Sequence, residues 1–221
     1  TKAGDFCFGK KNKIDIINNG IDTEKYHYCL DIRNKYRKEF NLQDSLVIGN
    51  VARFVKQKNH IFLLKLLKEL TKQVENVKLI LVGEGELQDS IKQQAINMNI
   101  EENIIFLGTR SDVNNLMQMM DVFVFPSLYE GLGIVLIEAE STGLPCVISE
   151  NIPKEAILIH DNVSILNLDD DIEKWVNEII KFSKKKREDK VELIKNMGYD
   201  RVENIKKIEE IYENKYEEEL L

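Results

Sequence analysis

Short apolar runs alternate with amphipathic, helix-length segments through the middle of the chain. Five runs rich in valine, isoleucine and phenylalanine are apolar on both faces: 46–51, 78–82, 103–107, 121–125 and 144–148. This pattern is typical of parallel strands that are covered by helices on both sides. The segments between them, 59–74, 86–98, 112–119 and 133–142, have helical length and spacing. The alternation predicts an α/β fold with a doubly wound parallel sheet.

The two ends of the chain follow a different pattern. We expect a strand over 14–17, a turn over 18–20 and a helix over 28–40. The C-terminal third is predicted to be mainly helical, because Trp175, Ile179 and Phe182 have helical spacing. The basic run 181–190 is interpreted as a solvated helix end or loop.

A last helix is predicted over 201–221. Asp200 and Glu203 have the spacing of a capping box, with Asp200 as the cap. One face of this helix would be apolar and consists of Val202, Ile205, Ile208, Tyr212 and Tyr216.

Composition narrows the function classes. The 221 residues include 31 Lys and Arg against 38 Asp and Glu, and this net charge of −7 argues against a general nucleic-acid binder. Cys7, Cys29 and Cys146 lie far apart without a CxxC pair, which indicates neither a disulfide framework nor a zinc site. This cysteine usage favours a reducing, cytoplasmic location. His27, His60 and His160 lack metal-ligand spacing, so no metal site is predicted.

Polar residues and glycines collect in the loops that follow the predicted strands. Parallel strands end at one edge of a sheet, and ligands bind in the crevice outside that edge. Arg53 and Lys58 follow the first strand and suit a diphosphate, because arginine binds it in a bidentate manner and lysine as a point charge. The next two loops supply Gly83, Gly85, Gly108, Thr109 and Arg110.

The loop after the fourth strand is the most informative. Gly131 and Gly133 flank a predicted helix start, where exposed amides and the helix dipole favour an anion. Glu130 and Glu138 lie on either side of the glycines. If most of that span is helical, they are about 12 Å apart along the axis, at roughly 1.5 Å per residue. This arrangement fits a nucleotide sugar, in which a diphosphate separates two hydroxylated rings.

Each feature alone has an ordinary structural interpretation. GLG is not a full G-x-G-x-x-G fingerprint, and such glycines more often form a turn. A lone Glu138 would be a solvated helix residue, and Arg53 and Lys58 alone would be surface charges. Their common position at one predicted edge favours the functional interpretation.

The residues also resemble a known family. The segment EGLGIVLIE (130–138), between DVFVFPS and AESTGLPCVIS, resembles the E-x7-E signature of retaining glycosyltransferases with the GT-B fold. The similarity is to glycosyltransferase family 4, the glycosyl transferases group 1 domain, and extends to IGNVARFVKQKN, LILVGEGEL and IIFLGTR. INNGID (17–22) resembles the hinge that opens the C-terminal, donor-binding half, and SENIPKEAI (149–157) is similar to exopolysaccharide and capsule enzymes. Leu132 replaces a usual phenylalanine, and Asn50 and Ala52 lie where that family often has glycine.

The resemblance implies a role for each matched position. Arg53 and Lys58 would hold the donor's diphosphate, and Glu130 would bind the hydroxyls of its sugar; these three form the catalytic set. Glu138 would bind the ribose hydroxyls. The nucleobase pocket would be lined by backbone at Gly83, Gly85, Gly108, Thr109 and Arg110. The amides that bind phosphate would be those of Gly131, Leu132, Gly133 and Ile134.

The resemblance also implies how the chain is organised. It would be the Rossmann-like C-terminal half of a GT-B fold with C-terminal helices. Residues 1–13 would be the tail of a missing N-terminal domain, and 14–200 would form the nucleotide-sugar-binding domain. The helix 201–221 would pack on the missing domain, so that its tyrosine face is exposed here and prone to self-association.

The implied activity is hexose transfer, with retention of configuration, from a nucleotide-diphosphate sugar to a polysaccharide or lipid-linked saccharide. A UDP-hexose is the leading donor, with GDP and ADP sugars as alternatives, and neither a cofactor nor a metal is implied. This half would bind the donor without turnover. The location would be cytoplasmic, with the parent protein at the inner face of the membrane.

Two other functions are considered. A GT-B sugar-nucleotide epimerase uses a different set of carboxylates and histidines, and the E-x7-E context disfavours it. The further alternative is a non-enzymatic α/β nucleotide-binding module. A receiver-like module would need an acidic pair after the first strand and a lysine after the fifth. The loop after the first strand is basic here, which argues against a receiver.

Overall fold

A six-stranded parallel sheet forms the centre of the fold. The computed structural model describes residues 16–219, with side chains to residue 213. The strands are β1 to β6 in chain order: Leu46–Val51, Val77–Val82, Ile104–Phe106, Val122–Phe125, Cys146–Ser149 and Val163–Leu166. Their order in the sheet is β3-β2-β1-β4-β5-β6. The order therefore reverses between β1 and β4, which places the topological switch point there.

Helices cover both faces of the sheet. In chain order they are α1 to α8: Leu30–Glu39, His60–Gln73, Gln88–Asn97, Val113–Met119, Ile134–Ser141, Ile172–Ser183, Val191–Asn196 and Arg201–Glu219. Side chains of α2, α3 and α6 form the core on one face, and those of α4, α5 and α7 form the core on the other. The central strands β4 and β5 are buried along their whole length, which explains why their sequences are continuously apolar.

The doubly wound parallel sheet predicted from the sequence is confirmed. The first five strands lie within two residues of their predicted bounds, and the helix expected over 28–40 is α1. The expectation of a mainly helical C-terminal third was incomplete, because Val163–Leu166 adds a sixth strand at the sheet edge. Residues 16 and 17 are not in a strand, and the rest of the strand expected over 14–17 lies outside the described residues.

The start of α8 is fastened to the segment that precedes α1. Asp200 caps the helix as predicted, since its Oδ1 accepts the Glu203 amide at 2.9 Å. The Glu203 side chain does not complete the box and instead bonds Lys206 at 2.9 Å. Ile21 forms a parallel bridge with Asp200, and Thr23 donates to the same carboxylate.

The predicted apolar face of α8 is exposed. Its described side chains, Val202, Ile205, Ile208 and Tyr212, are between 39% and 72% accessible. The Tyr216 side chain lies outside the described part. Within residues 16–219, no helix has the length and apolar character needed to cross a membrane.

Candidate functional site

A cleft of about 590 Å³ opens at the carboxyl edge of the sheet, beside the switch point. Five residues predicted from the sequence line it: Arg53, Gly83, Thr109, Arg110 and Glu138. The other predicted residues are outside the lining, but the same loops carry them. Lys58 is on the loop of Arg53, and the segment 130–134 leads into the helix of Glu138.

Burial changes the acidity of Glu138. This side chain is half-buried on α5, and burial raises its pKa above the ordinary range. The nearby Tyr26 hydroxyl opposes that rise and lowers the pKa. Tyr26 also lines the cleft, and burial followed by the charge of Glu138 raises the pKa of its hydroxyl. The cleft therefore presents a tyrosine and a carboxylate that influence each other's acidity.

Lys58 and Glu130 form an ion pair next to the cleft. Lys58 Nζ lies 2.6 Å from Glu130 Oε1, and the side chains are 18% and 6% exposed. The ammonium also stands 5.3 Å from the centroid of the Phe125 ring. A ligand phosphate that recruits Lys58 would have to compete with a well-buried carboxylate.

The sequence estimate of the distance between Glu130 and Glu138 treated most of the span between them as helical. Gly133 is the N-cap residue of α5, with φ of 81°, and the helix starts at Ile134. Residues 130–133 are loop and 134–138 are helical, so the helical rise applies to only part of the span between Glu130 and Glu138. Gly133 supplies the left-handed turn from which the helix starts, a conformation that glycine adopts at little cost.

The environments of the glycines in this segment differ. A side chain at Gly133 would meet Phe125 Cε1 at 3.4 Å and Glu130 Cγ at 3.8 Å. At Gly131 no atom lies within 4 Å of the position that a Cβ would occupy. Leu132 packs partly against the core, while Ile134 is 37% exposed. Gly131 is therefore an open backbone position.

Gly83 and Gly85 serve close backbone packing. A Cβ at Gly83 would lie 2.2 Å from the carbonyl oxygen of Ala52, and one at Gly85 would lie 2.6 Å from that of Phe54. The Gly83 amide donates to the carbonyl of Gly108 at 2.8 Å. Gly83 lines the cleft, but Gly85 does not. Contact between the loops is sufficient to explain the sequence GEG.

The two arginines of the cleft differ in what they contact. Arg110 donates to both oxygens of Asp112 at 2.8 Å and lowers the pKa of that carboxyl to about 2. Arg53 is exposed and makes no side-chain hydrogen bond or ion pair within residues 16–219. Arg53 can therefore bind an anion in the cleft without breaking an existing ion pair, whereas Arg110 cannot.

Several cleft or loop residues were not singled out from the sequence. Tyr26 and Glu84 line the cleft, and Glu84 Oε1 accepts the Thr109 amide at 3.4 Å. Gln57 and Asn59 join the loop after β1 to the loop after β4, with contacts to Tyr129 and Pro126. Gln57 and Asn59 lie in the segment IGNVARFVKQKN, and Glu84 lies in LILVGEGEL. Both segments resemble the family, and this position was the only sequence feature that could have identified the three residues as part of the site. No local sequence pattern identified Tyr26.

Among the described residues, no group of three or more His, Cys, Asp or Glu could hold a metal ion.

The sheet order and the cleft at its switch point define a Rossmann-like domain with a ligand crevice at the carboxyl edge. Residues 32–201 match the family model described as glycosyl transferases group 1. The chain belongs to that family.

Two relatives align with almost all of the chain. The protein EpsF of Bacillus subtilis (strain 168) is 36% identical over 218 residues, covering 95% of this chain and 57% of EpsF. A UDP-Gal:alpha-D-GlcNAc-diphosphoundecaprenol alpha-1,3-galactosyltransferase of Escherichia coli is 30% identical over 212 residues, covering 90% of this chain and 54% of that protein. The chain thus spans a little more than half the length of these relatives.

Solved structures share the fold. HepE of Anabaena, crystallised with UDP, has a TM-score of 0.73 at 24% identity, covering 90% of this chain and 57% of HepE. A glycosyltransferase of Rickettsia africae has a TM-score of 0.76 at 19% identity, covering 96% and 60%. This likeness supports the GT-B assignment of the fold.

Proposed function

We propose that this chain is the donor-binding half of a retaining glycosyltransferase that transfers a hexose from a UDP sugar to a polysaccharide or lipid-linked saccharide. One observation carries the proposal. The cleft at the switch point is lined by Arg53, which is exposed and has no side-chain partner within residues 16–219, and by the half-buried Glu138 of α5, the helix whose entry carries Gly131 and Gly133. A cation, the amides of a helix start and a carboxylate match the chemistry of a nucleoside diphosphate.

Arg53 and the entry to α5 hold the diphosphate in this proposal. The guanidinium binds phosphate oxygens in a bidentate manner. The amides of residues 131–134 add hydrogen bonds at the positive end of the helix dipole. Lys58 contributes a further charge once it leaves Glu130. These groups stabilise the charge that develops on the departing nucleoside diphosphate without a metal ion.

The two glutamates bind the two sugars of the donor. Glu138 lies in the cleft and accepts hydrogen bonds from the ribose hydroxyls. Glu130 lies on the other side of the glycines and accepts from the hydroxyls of the transferred sugar. The base occupies the cleft between Gly83 and Arg110, and about 590 Å³ is within the usual range of ligand pockets.

The choice of a UDP donor is supported by the names of similar proteins. The Escherichia coli relative is named for a UDP-Gal donor, and HepE was crystallised with UDP and with UDP-glucose. The acceptor site would lie in the part of the parent protein that this chain does not contain. The exposed apolar face of α8 would pack on that part.

Calorimetric titration of this chain with UDP, GDP and ADP tests the proposal. We expect UDP to bind selectively and Glu138→Ala to weaken it at least about tenfold, which corresponds to roughly 1.4 kcal/mol. Glu75→Ala is the matched control, since Glu75 is exposed before β2 at the opposite edge of the sheet. Binding of no nucleotide by this chain or by its full-length parent would refute the proposal. Retention is checked separately by the NMR coupling of the anomeric proton in the parent's product.

A further inference from the structure

Gln57 is one of the residues that join the loops on either side of the switch point. Gln57 Nε2 donates to the carbonyl of Tyr129 at 2.8 Å and approaches Glu130 Oε2 at 3.4 Å. The carbonyl of Gln57 accepts the Leu128 amide at 2.8 Å. The loop after β1 thereby holds the loop after β4 from both its backbone and its side chain.

Two side chains donate hydrogen bonds to the Glu130 carboxylate, and they differ in charge and in distance. Lys58 provides the short contact of 2.6 Å, and Gln57 provides the longer one. The proposed function requires Lys58 to face the diphosphate, and this would remove the stronger support from a carboxylate that is 6% exposed. The Gln57 amide has two hydrogens, so it can serve Tyr129 and Glu130 at once. Because it is neutral, a diphosphate attracts it far less than it attracts an ammonium.

We propose that Gln57 is the positioning residue of Glu130: it keeps the carboxylate in place for the donor sugar while Lys58 turns to the diphosphate. This inference rests on the proposed function. In this inference Lys58 binds the diphosphate, and the adjacent Gln57 holds the carboxylate that binds the sugar. Lys58 moves between partners, and Gln57 stays on Glu130.

A double-mutant cycle tests the positioning without any ligand. Hydrogen–deuterium exchange of segment 126–132 is measured in the wild type, Gln57→Met, Lys58→Met and the double variant. Met keeps the length of Gln but has no N–H donor. We expect Gln57→Met to speed exchange less than about threefold alone and about tenfold or more in the Lys58→Met background, because two parallel supports are coupled. An equal effect in both backgrounds would overturn the proposal.

Nucleotide titration separates positioning from a general structural role. UDP, UDP-glucose and UDP-galactose are titrated into the wild type, Gln57→Met and the control Gln73→Met. Gln73 is exposed at the end of α2 and makes no side-chain hydrogen bond within the described residues. We expect Gln57→Met to leave UDP affinity within about twofold and to weaken the better UDP sugar about three- to tenfold, the size of one hydrogen bond.

The outcomes distinguish this inference from the proposed function. Equal weakening of UDP and of the UDP sugars overturns the positioning role. Failure of the wild type and of the full-length parent to bind any uridine nucleotide overturns the proposed function, and with it the role of Gln57. If neither UDP-glucose nor UDP-galactose binds more tightly than UDP, the hydrogen–deuterium exchange cycle determines whether Gln57 positions Glu130.

Discussion

Replacing Glu130 with glutamine should strengthen the binding of UDP to this chain. The carboxylate accepts a hydrogen bond from Lys58 at 2.6 Å, and both side chains are largely buried. A diphosphate that needs Lys58 must compete with this pair. Glutamine keeps the shape of the side chain but removes its charge, so the ammonium is held less firmly.

The magnitude follows from the type of contact. A hydrogen bond to a charged group contributes about 1.5–3 kcal/mol, and a neutral one about 0.5–1.5 kcal/mol. The difference of roughly 1 kcal/mol corresponds to about a fivefold change in Kd. Removal of repulsion between Glu130 and the diphosphate acts in the same direction. We therefore expect UDP to bind about three- to tenfold more tightly. A UDP-hexose should gain less, because its sugar loses a charged acceptor.

Calorimetric titration of UDP at low and at moderate salt measures the effect. Glu178→Gln is the control, since Glu178 pairs with Lys181 at 2.9 Å on α6, away from the cleft. The gain should shrink as salt rises, because part of it is electrostatic. Unchanged or weaker UDP binding in Glu130→Gln would show that Lys58 does not exchange between carboxylate and phosphate.

Two further predictions concern stability. Burial raises the pKa of Glu140 from 4.5 to about 7, so the native state binds the extra proton between these values. The free energy of unfolding should then fall as pH rises from about 5 to 8, by about 3 kcal/mol at most, and Glu140→Gln should flatten this slope in urea titrations; an unchanged slope contradicts the assignment. Gly133→Ala should cost about 1–2 kcal/mol, because its φ is 81°, whereas Gly131→Ala should stay within about 0.5 kcal/mol. Equal losses in thermal unfolding would contradict this difference.

The sequence predicted the central strands well for a physical reason. Strands β1, β2, β4 and β5 are covered on both faces, so nearly every position along them is apolar. The edge strand Val163–Leu166 is covered less, and its Ile165 is 48% exposed. Its short run, between polar segments, is hard to distinguish from a loop by pattern alone.

Local sequence patterns could not predict contacts between residues that are far apart in the chain. Arg187 belongs to the basic run interpreted as solvated, yet it stacks on Tyr28 at 4.9 Å and donates to the carbonyls of Met117 and Thr142. Burial lowers the pKa of this guanidinium to about 9. Its partners are 45 and 70 residues away in the chain, so helical or strand spacing cannot reveal them. The same applies to the pairing of Lys58 with Glu130.

The candidate site is best understood by asking which polar groups already have partners. Arg110 is neutralised by Asp112, Lys58 is neutralised by Glu130, and Gly85 serves backbone packing. A sequence shows that cations and glycines share one edge, but it does not show how many of them are already engaged. Arg53 and the open backbone at Gly131 remain available to an incoming anion. Under the proposed function, Arg53 can bind a donor without breaking an existing ion pair, whereas Lys58 must first leave Glu130.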